Sequence, residues 1–177
     1  VRVVGFDLDT KKVENLNAGK SYILHIPSED IRALVDSGNF LATDDYVEVG
    51  KCDAAIICVP TPLGAHREPD ISYILETGKA LGPHLHKGML VTLESTTYPG
   101  TTDTDLKQVL EETSGLKAGI DFHLAYSPER EDPGNPNSKV AEIPKVVGGL
   151  TPECLELATH TYSPVIKKLV PVTSCRV

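Results

Sequence analysis

The sequence contains no tryptophan, a single methionine and few aromatic residues, which make up only 5% of its 177 residues. It has no apolar run near the roughly 20 residues that a membrane-spanning helix needs, and no charged-then-apolar signal peptide at its start. Basic clusters are missing as well, because the 17 lysines and arginines are scattered and the net charge is −8. These absences predict that neither a membrane nor a nucleic acid is a partner.

Disulfides and metal sites have little support in the sequence. The four cysteines include no C-x-x-C motif and show no regular framework. A chain of this length does not need disulfides, so we expect a reducing compartment and a cytoplasmic location. His84 and His86 flank a leucine at a predicted helix end, a pattern that favours a solvated pair over half of a metal site. No metal site is therefore predicted.

Strand-length apolar runs alternate with amphipathic helical patterns along the whole chain. Clear examples are a helix over Thr10–Asn17 and strands over Phe40–Thr43 and Leu169–Val172. Residues 54–60 form an uninterrupted apolar run, typical of a parallel strand covered on both faces. The order β-α-α-β-β-α-β-α-β-β-α-β predicts an α/β fold, a Rossmann-like doubly wound and largely parallel sheet with helices on both faces. The length fits one domain with one core.

Polar residues follow several of the predicted strands at their carboxyl ends, where open α/β sheets bind ligands. Asp7 ends the first strand, Thr61 follows residues 54–60, and a hydroxyl-rich segment follows the strand that ends at Leu93. The run 122–126 leads into a Pro/Gly-punctuated charged loop, in which Glu129 is the first candidate for a chemical residue. Each feature alone also fits a turn, a helix cap or a solvated loop. Together they form the pattern of a dinucleotide site.

Five motifs spread over the chain resemble those of the nucleotide-sugar 6-dehydrogenases. The motifs are V-P-T-P (59–62), H-R-E-P-D (66–70), E-S-T-T-Y-P-G-T-T (94–102), Y-S-P-E-R-E-D-P-G-N (126–135) and I-P-K-V-V-G-G (143–149). The resemblance is closest to the bacterial UDP-N-acetylglucosamine 6-dehydrogenase branch. It implies that the C6 hydroxymethyl group of a UDP-sugar is oxidised to a carboxylate while two NAD are reduced.

The resemblance also assigns roles to residues. A family glutamate aids the water that hydrolyses a cysteine-bound thioester, and Glu129 matches it, a role that suits a carboxylate made more basic by burial. Thr96 matches a threonine that holds this water and lines the cofactor, although Thr97 stays open as an alternative. The implied cofactor-binding residues are Asp7, Lys12, Val59, Pro60, Thr61, Ser95 and Thr96. The implied substrate-binding residues are Glu129, Arg130, Glu131 and Asp132.

Several family features have no match in the sequence. The glycine-rich turn that should precede Asp7 by about 20 residues is missing, as are the catalytic lysine, asparagine and cysteine. Cys175 lies where the family begins its central helix, and we interpret it as a bystander thiol. We expect both ends to be truncated, so that residues 1–177 form a partial NAD-binding domain without the UDP-sugar-binding domain and without activity of its own.

Other functions remain open at this level. The substrate could be UDP-glucose or UDP-N-acetylmannosamine, and the full-length protein is expected to be a homo-oligomer. A second hypothesis is a stand-alone truncated binding protein that has lost catalysis. A third, a different NAD enzyme such as a hydroxyacid dehydrogenase, would need its catalytic histidine or lysine after residue 177, and the Glu129 motif disfavours it.

Overall fold

The computed structural model describes residues 1–23, 26–64, 68–129 and 142–177. These residues divide into two compact units, Val1–Glu48 and Val49–Val177. The length of the chain predicted one domain with one core. Among the described residues, all the buried hydrophobic side chains except Ala42 lie in the second unit.

The first unit contains a two-stranded parallel sheet and two helices. Its elements are β1 (Val3–Phe6), α1 (Thr10–Asn17), α2 (Ser28–Asp36) and β2 (Phe40–Thr43). The side chain of Asp9 caps α1 by accepting a hydrogen bond from the Lys11 amide at 3.0 Å. At the other end of α1, Asn17 makes two hydrogen bonds of 2.8 Å with the backbone of Ala42 in β2. The cap fixes the turn that follows β1, and the Asn17 bonds join the end of α1 to β2.

The second unit contains a five-stranded sheet and three α-helices. The strands are β3 (Ala54–Ile57), β4 (Leu90–Leu93), β5 (His123–Tyr126), β6 (Lys145–Gly149) and β7 (Leu169–Val172). The helices are α3 (Ser72–Leu81), α4 (Lys107–Ser114) and α5 (Pro152–Tyr162). Shorter pieces of this unit are a 3₁₀ turn at Gly82–His84 and a π-helical stretch, Thr101–Leu106, that leads directly into α4. A further 3₁₀ turn, Tyr46–Lys51, includes the last residues of the first unit and the first of the second. No helix in the described part of the chain is long and apolar enough to cross a membrane.

The strands of the second sheet lie in the order β3-β4-β5-β6-β7, and every neighbouring pair is parallel except β5 and β6. The predicted α/β class with a largely parallel sheet is thus confirmed. The register aligns Ile57 with Leu93 and Leu93 with Tyr126, so β3, β4 and β5 end at the same edge. Because β6 runs the other way, its first residue, Lys145, lies at this edge too.

The core of the second unit forms between α5 and the sheet. Ala158 and Tyr162 of α5 pack with Leu90, Ala125 and Val147 from three adjacent strands. All four residues of β4 are buried, which shows that both faces of this strand are covered. Full burial of a leucine or valine side chain contributes about 1.5–3 kcal/mol, so Leu90 and Val147 help to hold α5 on the sheet.

The glycine pair that ends β6 permits two close approaches of the backbone. A Cβ on Gly149 would collide with the backbone of Leu155 in α5, and one on Gly148 would collide with the Ser174 carbonyl. This explains why the I-P-K-V-V-G-G motif ends in two glycines.

One strand differs from its prediction. The apolar run 54–60 predicted a strand covered on both faces, but β3 ends at Ile57 and forms one edge of its sheet, and Ile56 is 48% exposed. The prediction of full coverage was wrong because an apolar sequence does not distinguish an edge strand from a central one. After Ile57 the ladder does not continue, since both backbone groups of Val59 bond to the Ser95 hydroxyl, and Pro60 and Pro62 supply no backbone donors beyond it.

Candidate active site

The carboxyl edge of the second sheet gathers most of the predicted site residues. We define this carboxyl edge as residues 58–61 after β3, 94–97 after β4 and 127–129 after β5, together with Lys145 at the start of β6. Parallel strands that end in register bring these segments together. Of the predicted residues, Val59, Pro60, Thr61, Ser95, Thr96 and Glu129 lie here.

Ser95 holds the segment that follows β3. Its hydroxyl accepts a hydrogen bond from the Val59 amide at 2.9 Å and donates one to the Val59 carbonyl at 2.8 Å. The residue is only 5% exposed. The sequence predicted Ser95 as a cofactor-binding residue, and its geometry favours an indirect part in binding, in which it fixes Val59 and the following Pro60 and Thr61.

The two adjacent threonines after β4 have different environments. The hydroxyls of Thr97 and Thr101 lie 2.7 Å apart and share a hydrogen bond, which ties the loop to the π-helical stretch. Thr96 is exposed, and its hydroxyl has no hydrogen bond within the described residues. Of the two alternatives that the sequence left open, Thr96 is therefore the one whose hydroxyl is available to a ligand.

Glu129 is exposed at the carboxyl edge, so the burial expected for it is not provided by the described part of the chain. Its segment is held from one side by Ser127, whose hydroxyl donates to the Val146 carbonyl in β6 at 2.7 Å. Three predicted substrate-binding residues, Arg130, Glu131 and Asp132, lie outside the described residues. Part of the H-R-E-P-D motif lies outside them as well.

The carboxyl edge also contains a buried ionic cluster that the sequence reasoning missed. Lys145 Nζ lies 2.9 Å from Glu94 Oε2, and the two side chains are only 10% and 11% exposed. The Tyr162 hydroxyl donates a short hydrogen bond to Glu94 Oε1, and the lysine ammonium lies 4.9 Å from the centre of the tyrosine ring. We call Glu94, Lys145 and Tyr162 the Glu94 cluster. Its signal in the sequence is a charged residue inside each of two otherwise uncharged motifs.

The pKa of the Cys58 thiol depends on the charges at this edge. Desolvation and, to a smaller extent, the carboxylates of Glu94 and Glu129 raise the pKa of its thiol to about 11, although Lys145 acts to lower it. Part of the residue remains open to solvent. The thiol is therefore kept in its neutral form at the carboxyl edge.

The remaining predicted site residues, Asp7 and Lys12, lie in the first unit after β1. Lys12 Nζ is 3.1 Å from Asp7 Oδ2, and the Asp9 amide donates to Asp7 Oδ1 at 2.9 Å. Burial alone would raise the pKa of Asp7, but these two hydrogen bonds hold that pKa below its ordinary value. Asp7 likewise raises the pKa of Lys12. Both groups are charged at neutral pH.

Cys175 is buried, its pKa is raised to about 12 by that burial, and its sulfur lies 3.5 Å from the Gly148 carbonyl. A neutral thiol bonded to a carbonyl supports its interpretation as a bystander.

Within the described ranges no group of three or more histidine, cysteine or acidic side chains could hold a metal ion.

Comparison with known proteins assigns the family. The family model described as "UDP-glucose/GDP-mannose dehydrogenase family, NAD binding domain" matches residues 1–166. The chain belongs to this family. NAD is thus the cofactor of the matched domain, as the sequence predicted.

Relatives with curated names show how much of the family the chain covers. A UDP-N-acetyl-D-glucosamine 6-dehydrogenase from Pseudomonas aeruginosa is 36% identical over 93% of the chain and 38% of its own length. A UDP-N-acetyl-D-mannosamine dehydrogenase from Pyrococcus horikoshii is 30% identical over 97% of the chain and 41% of its own length. The chain therefore spans about two fifths of the length of these relatives.

Solved structures confirm the Rossmann-like fold. An NDP-N-acetyl-D-galactosaminuronic acid dehydrogenase from Methanosarcina mazei Go1 superimposes with a TM-score of 0.90 at 36% identity, over 99% of this chain and 39% of the other. A GDP-mannose dehydrogenase from Pseudomonas aeruginosa gives the same TM-score at 25% identity, over 99% of this chain and 41% of the other.

Proposed function

We propose that the complete protein containing this chain is an NAD-dependent dehydrogenase that oxidises the C6 hydroxyl of UDP-N-acetylglucosamine, or of a related UDP-sugar, to a carboxylate. The supporting observation is the carboxyl edge, where the available Thr96 hydroxyl and the exposed Glu129 carboxylate follow two neighbouring parallel strands. UDP-N-acetylmannosamine and UDP-glucose are the alternative substrates. One relative, at 36% identity, is named as a UDP-N-acetyl-D-glucosamine 6-dehydrogenase, and another, at 30% identity, as a UDP-N-acetyl-D-mannosamine dehydrogenase.

In the first unit, Asp7 suits the ribose of a dinucleotide. Each oxygen of Asp7 accepts one hydrogen bond from the chain, and its side chain is 31% exposed, so lone pairs remain for the hydroxyls of a ribose. Lys12 holds this carboxylate in place and in its charged form. In the second unit, the loop Val59, Pro60 and Thr61 would line the cofactor. When bound, NAD supplies the oxidising power, accepting two electrons in each of the two oxidation steps.

Glu129 and Thr96 would serve the final hydrolysis. A thioester between the oxidised C6 and a cysteine outside this chain would be attacked by water at the acyl carbon. Glu129 would take the proton of the water while the thiolate leaves, and the Thr96 hydroxyl would orient the water. Arg130, Glu131 and Asp132 would then lie against the sugar.

The remaining parts of such an enzyme would come from outside this chain. We expect the catalytic cysteine and lysine and the UDP-sugar-binding domain there, because the relatives are more than twice as long as this chain. We accordingly expect the 177-residue chain alone to show no turnover and to bind NAD weakly. The complete protein is expected to be a homo-oligomer in the cytoplasm, where the four cysteines, none of which forms a disulfide in the structure, would stay reduced.

The direct test is an assay of the complete protein with NAD and each of the three UDP-sugars in turn. We expect two NADH for each uronic acid formed, with UDP-N-acetylglucosamine as the preferred substrate. Absence of NADH formation with all three sugars would refute the proposal. Preference for UDP-glucose or UDP-N-acetylmannosamine would keep the reaction and change the substrate.

A further inference from the structure

The Glu94 cluster connects three elements at the carboxyl edge. Glu94 follows β4, Lys145 begins β6 and Tyr162 ends α5, and 51 residues separate the two members of the ion pair. Both charged side chains are about nine-tenths buried. Such a cluster joins parts of the chain that would otherwise be connected only through the sheet.

Stability alone does not explain a buried ion pair well. The desolvation of two charges offsets much of their attraction, and well-packed apolar residues at such positions are often equally or more stabilising. A tyrosine that donates to the same carboxylate adds directional constraint, because it fixes the orientation of Glu94 as well as its charge. A role in geometry at the carboxyl edge is therefore the better explanation.

The cluster lies next to the contact that holds the residues before Glu129. Ser127, two residues before Glu129, donates its hydroxyl to the carbonyl of Val146 in β6 at 2.7 Å. The residue before Val146 is Lys145, which is held by Glu94. The charges of Glu94, Glu129 and Lys145 all influence the pKa of the Cys58 thiol at the same edge.

We propose that Glu94 and Lys145, oriented by Tyr162, are positioning residues for Glu129. They fix the start of β6, whose Val146 carbonyl holds Ser127, so that the Glu129 carboxylate reaches the water used in hydrolysis. This inference rests on the proposed function. It adds three residues, Glu94, Lys145 and Tyr162, to the proposed mechanism. These residues do not touch the reacting atoms, and their loss would slow hydrolysis more than the preceding oxidation.

The test uses the complete protein with NAD and UDP-N-acetylglucosamine, or whichever of the three UDP-sugars is oxidised. Rapid mixing separates the initial burst of NADH, which precedes hydrolysis, from the steady-state rate, which includes hydrolysis. Lys145→Met and Glu94→Gln should keep a burst within about threefold of wild type and lower the steady-state rate at least tenfold. A smaller loss of the same kind is expected for Tyr162→Phe, which removes only the hydrogen bond to Glu94.

Two further variants separate positioning from folding. In the double variant Glu94→Gln/Lys145→Met neither charge is left unpaired, so its thermal unfolding should recover towards wild type while hydrolysis stays slow. Lys79→Met, which breaks an exposed ion pair with Glu76 on α3, is the matched control and should change neither rate.

The outcomes are distinct. Burst and steady-state rates that fall in the same proportion, following the folded fraction, would overturn the positioning role, as would unchanged rates in all three single variants. Recovery of hydrolysis in the double variant would also overturn it. A wild-type protein that reduces no NAD with any of the three sugars would overturn the proposed function itself, and the positioning role with it.

Discussion

The Ser95 hydroxyl both accepts from the Val59 amide, at 2.9 Å, and donates to the Val59 carbonyl, at 2.8 Å. Ser95→Ala removes both bonds and leaves the amide without this partner, a loss of about 1–2 kcal/mol. If the bonds hold the loop for NAD, KM for NAD should rise roughly five- to thirtyfold, with a smaller change in kcat. Steady-state kinetics of the complete protein at varied NAD would measure this split.

The control for this variant is Ser163→Ala at the end of α5. The Ser163 hydroxyl donates only to the His160 carbonyl, at 3.0 Å on an exposed surface, so its loss should leave both constants unchanged. An unaltered KM for NAD in Ser95→Ala, combined with a lower kcat, would show that the bond serves some other part of the site.

Adjacent Thr96 and Thr97 should respond differently to the same substitution. Thr97→Val breaks the hydroxyl pair with Thr101 and should lower stability by about 0.5–1.5 kcal/mol, with little loss of kcat. Thr96→Val removes a hydroxyl that is not bonded within the described residues and should lower kcat on the order of ten- to hundredfold with little change in stability. Thermal unfolding and kcat of both variants test the assignment, and the reverse pattern would transfer the role to Thr97.

Cys58 should be slow to alkylate despite its partly open position. A thiol with a pKa of about 11 is ionised roughly a hundredfold less at pH 8 than an ordinary cysteine, so iodoacetamide should modify it about a hundredfold more slowly. The rate should rise about tenfold per pH unit until the pH approaches 11. Site-resolved mass spectrometry would follow the reaction.

Charge variants test whether Glu94 and Lys145 influence the ionisation of the Cys58 thiol. Glu94→Gln removes a carboxylate that disfavours the thiolate and should speed alkylation, whereas Lys145→Met removes the favourable cation and should slow it. Equal rates in both variants and wild type, or a wild-type rate like that of a model peptide, would contradict the electrostatics described for the carboxyl edge.

Local sequence signals predicted most of the elements well. The bounds of α1, β2 and β7 agree with their predictions, since each is set by periodicity and by a neighbouring cap or turn. The clustering of Thr61, Thr96 and Glu129 also followed from sequence, because parallel strands carry their carboxyl ends to one edge.

The contacts between distant parts of the chain could not be predicted. The pair Glu94–Lys145 depends on β6 running antiparallel to β5, and no local pattern encodes that direction. The exposure of Ile56 follows from the position of β3 in the sheet. Thr96 and Thr97 could not be distinguished either, since only the contact with Thr101 separates them.

The proposed role of Glu129 is to activate the water of hydrolysis, and a rapid-mixing experiment on Glu129→Gln in the complete protein tests this role directly. We expect one rapid burst of NADH and then almost no turnover, with the thioester accumulating on the protein and detectable by intact mass. Glu76→Gln, on the exposed face of α3, is the matched control and should behave as wild type. An undiminished steady-state rate in Glu129→Gln would remove this residue from the mechanism.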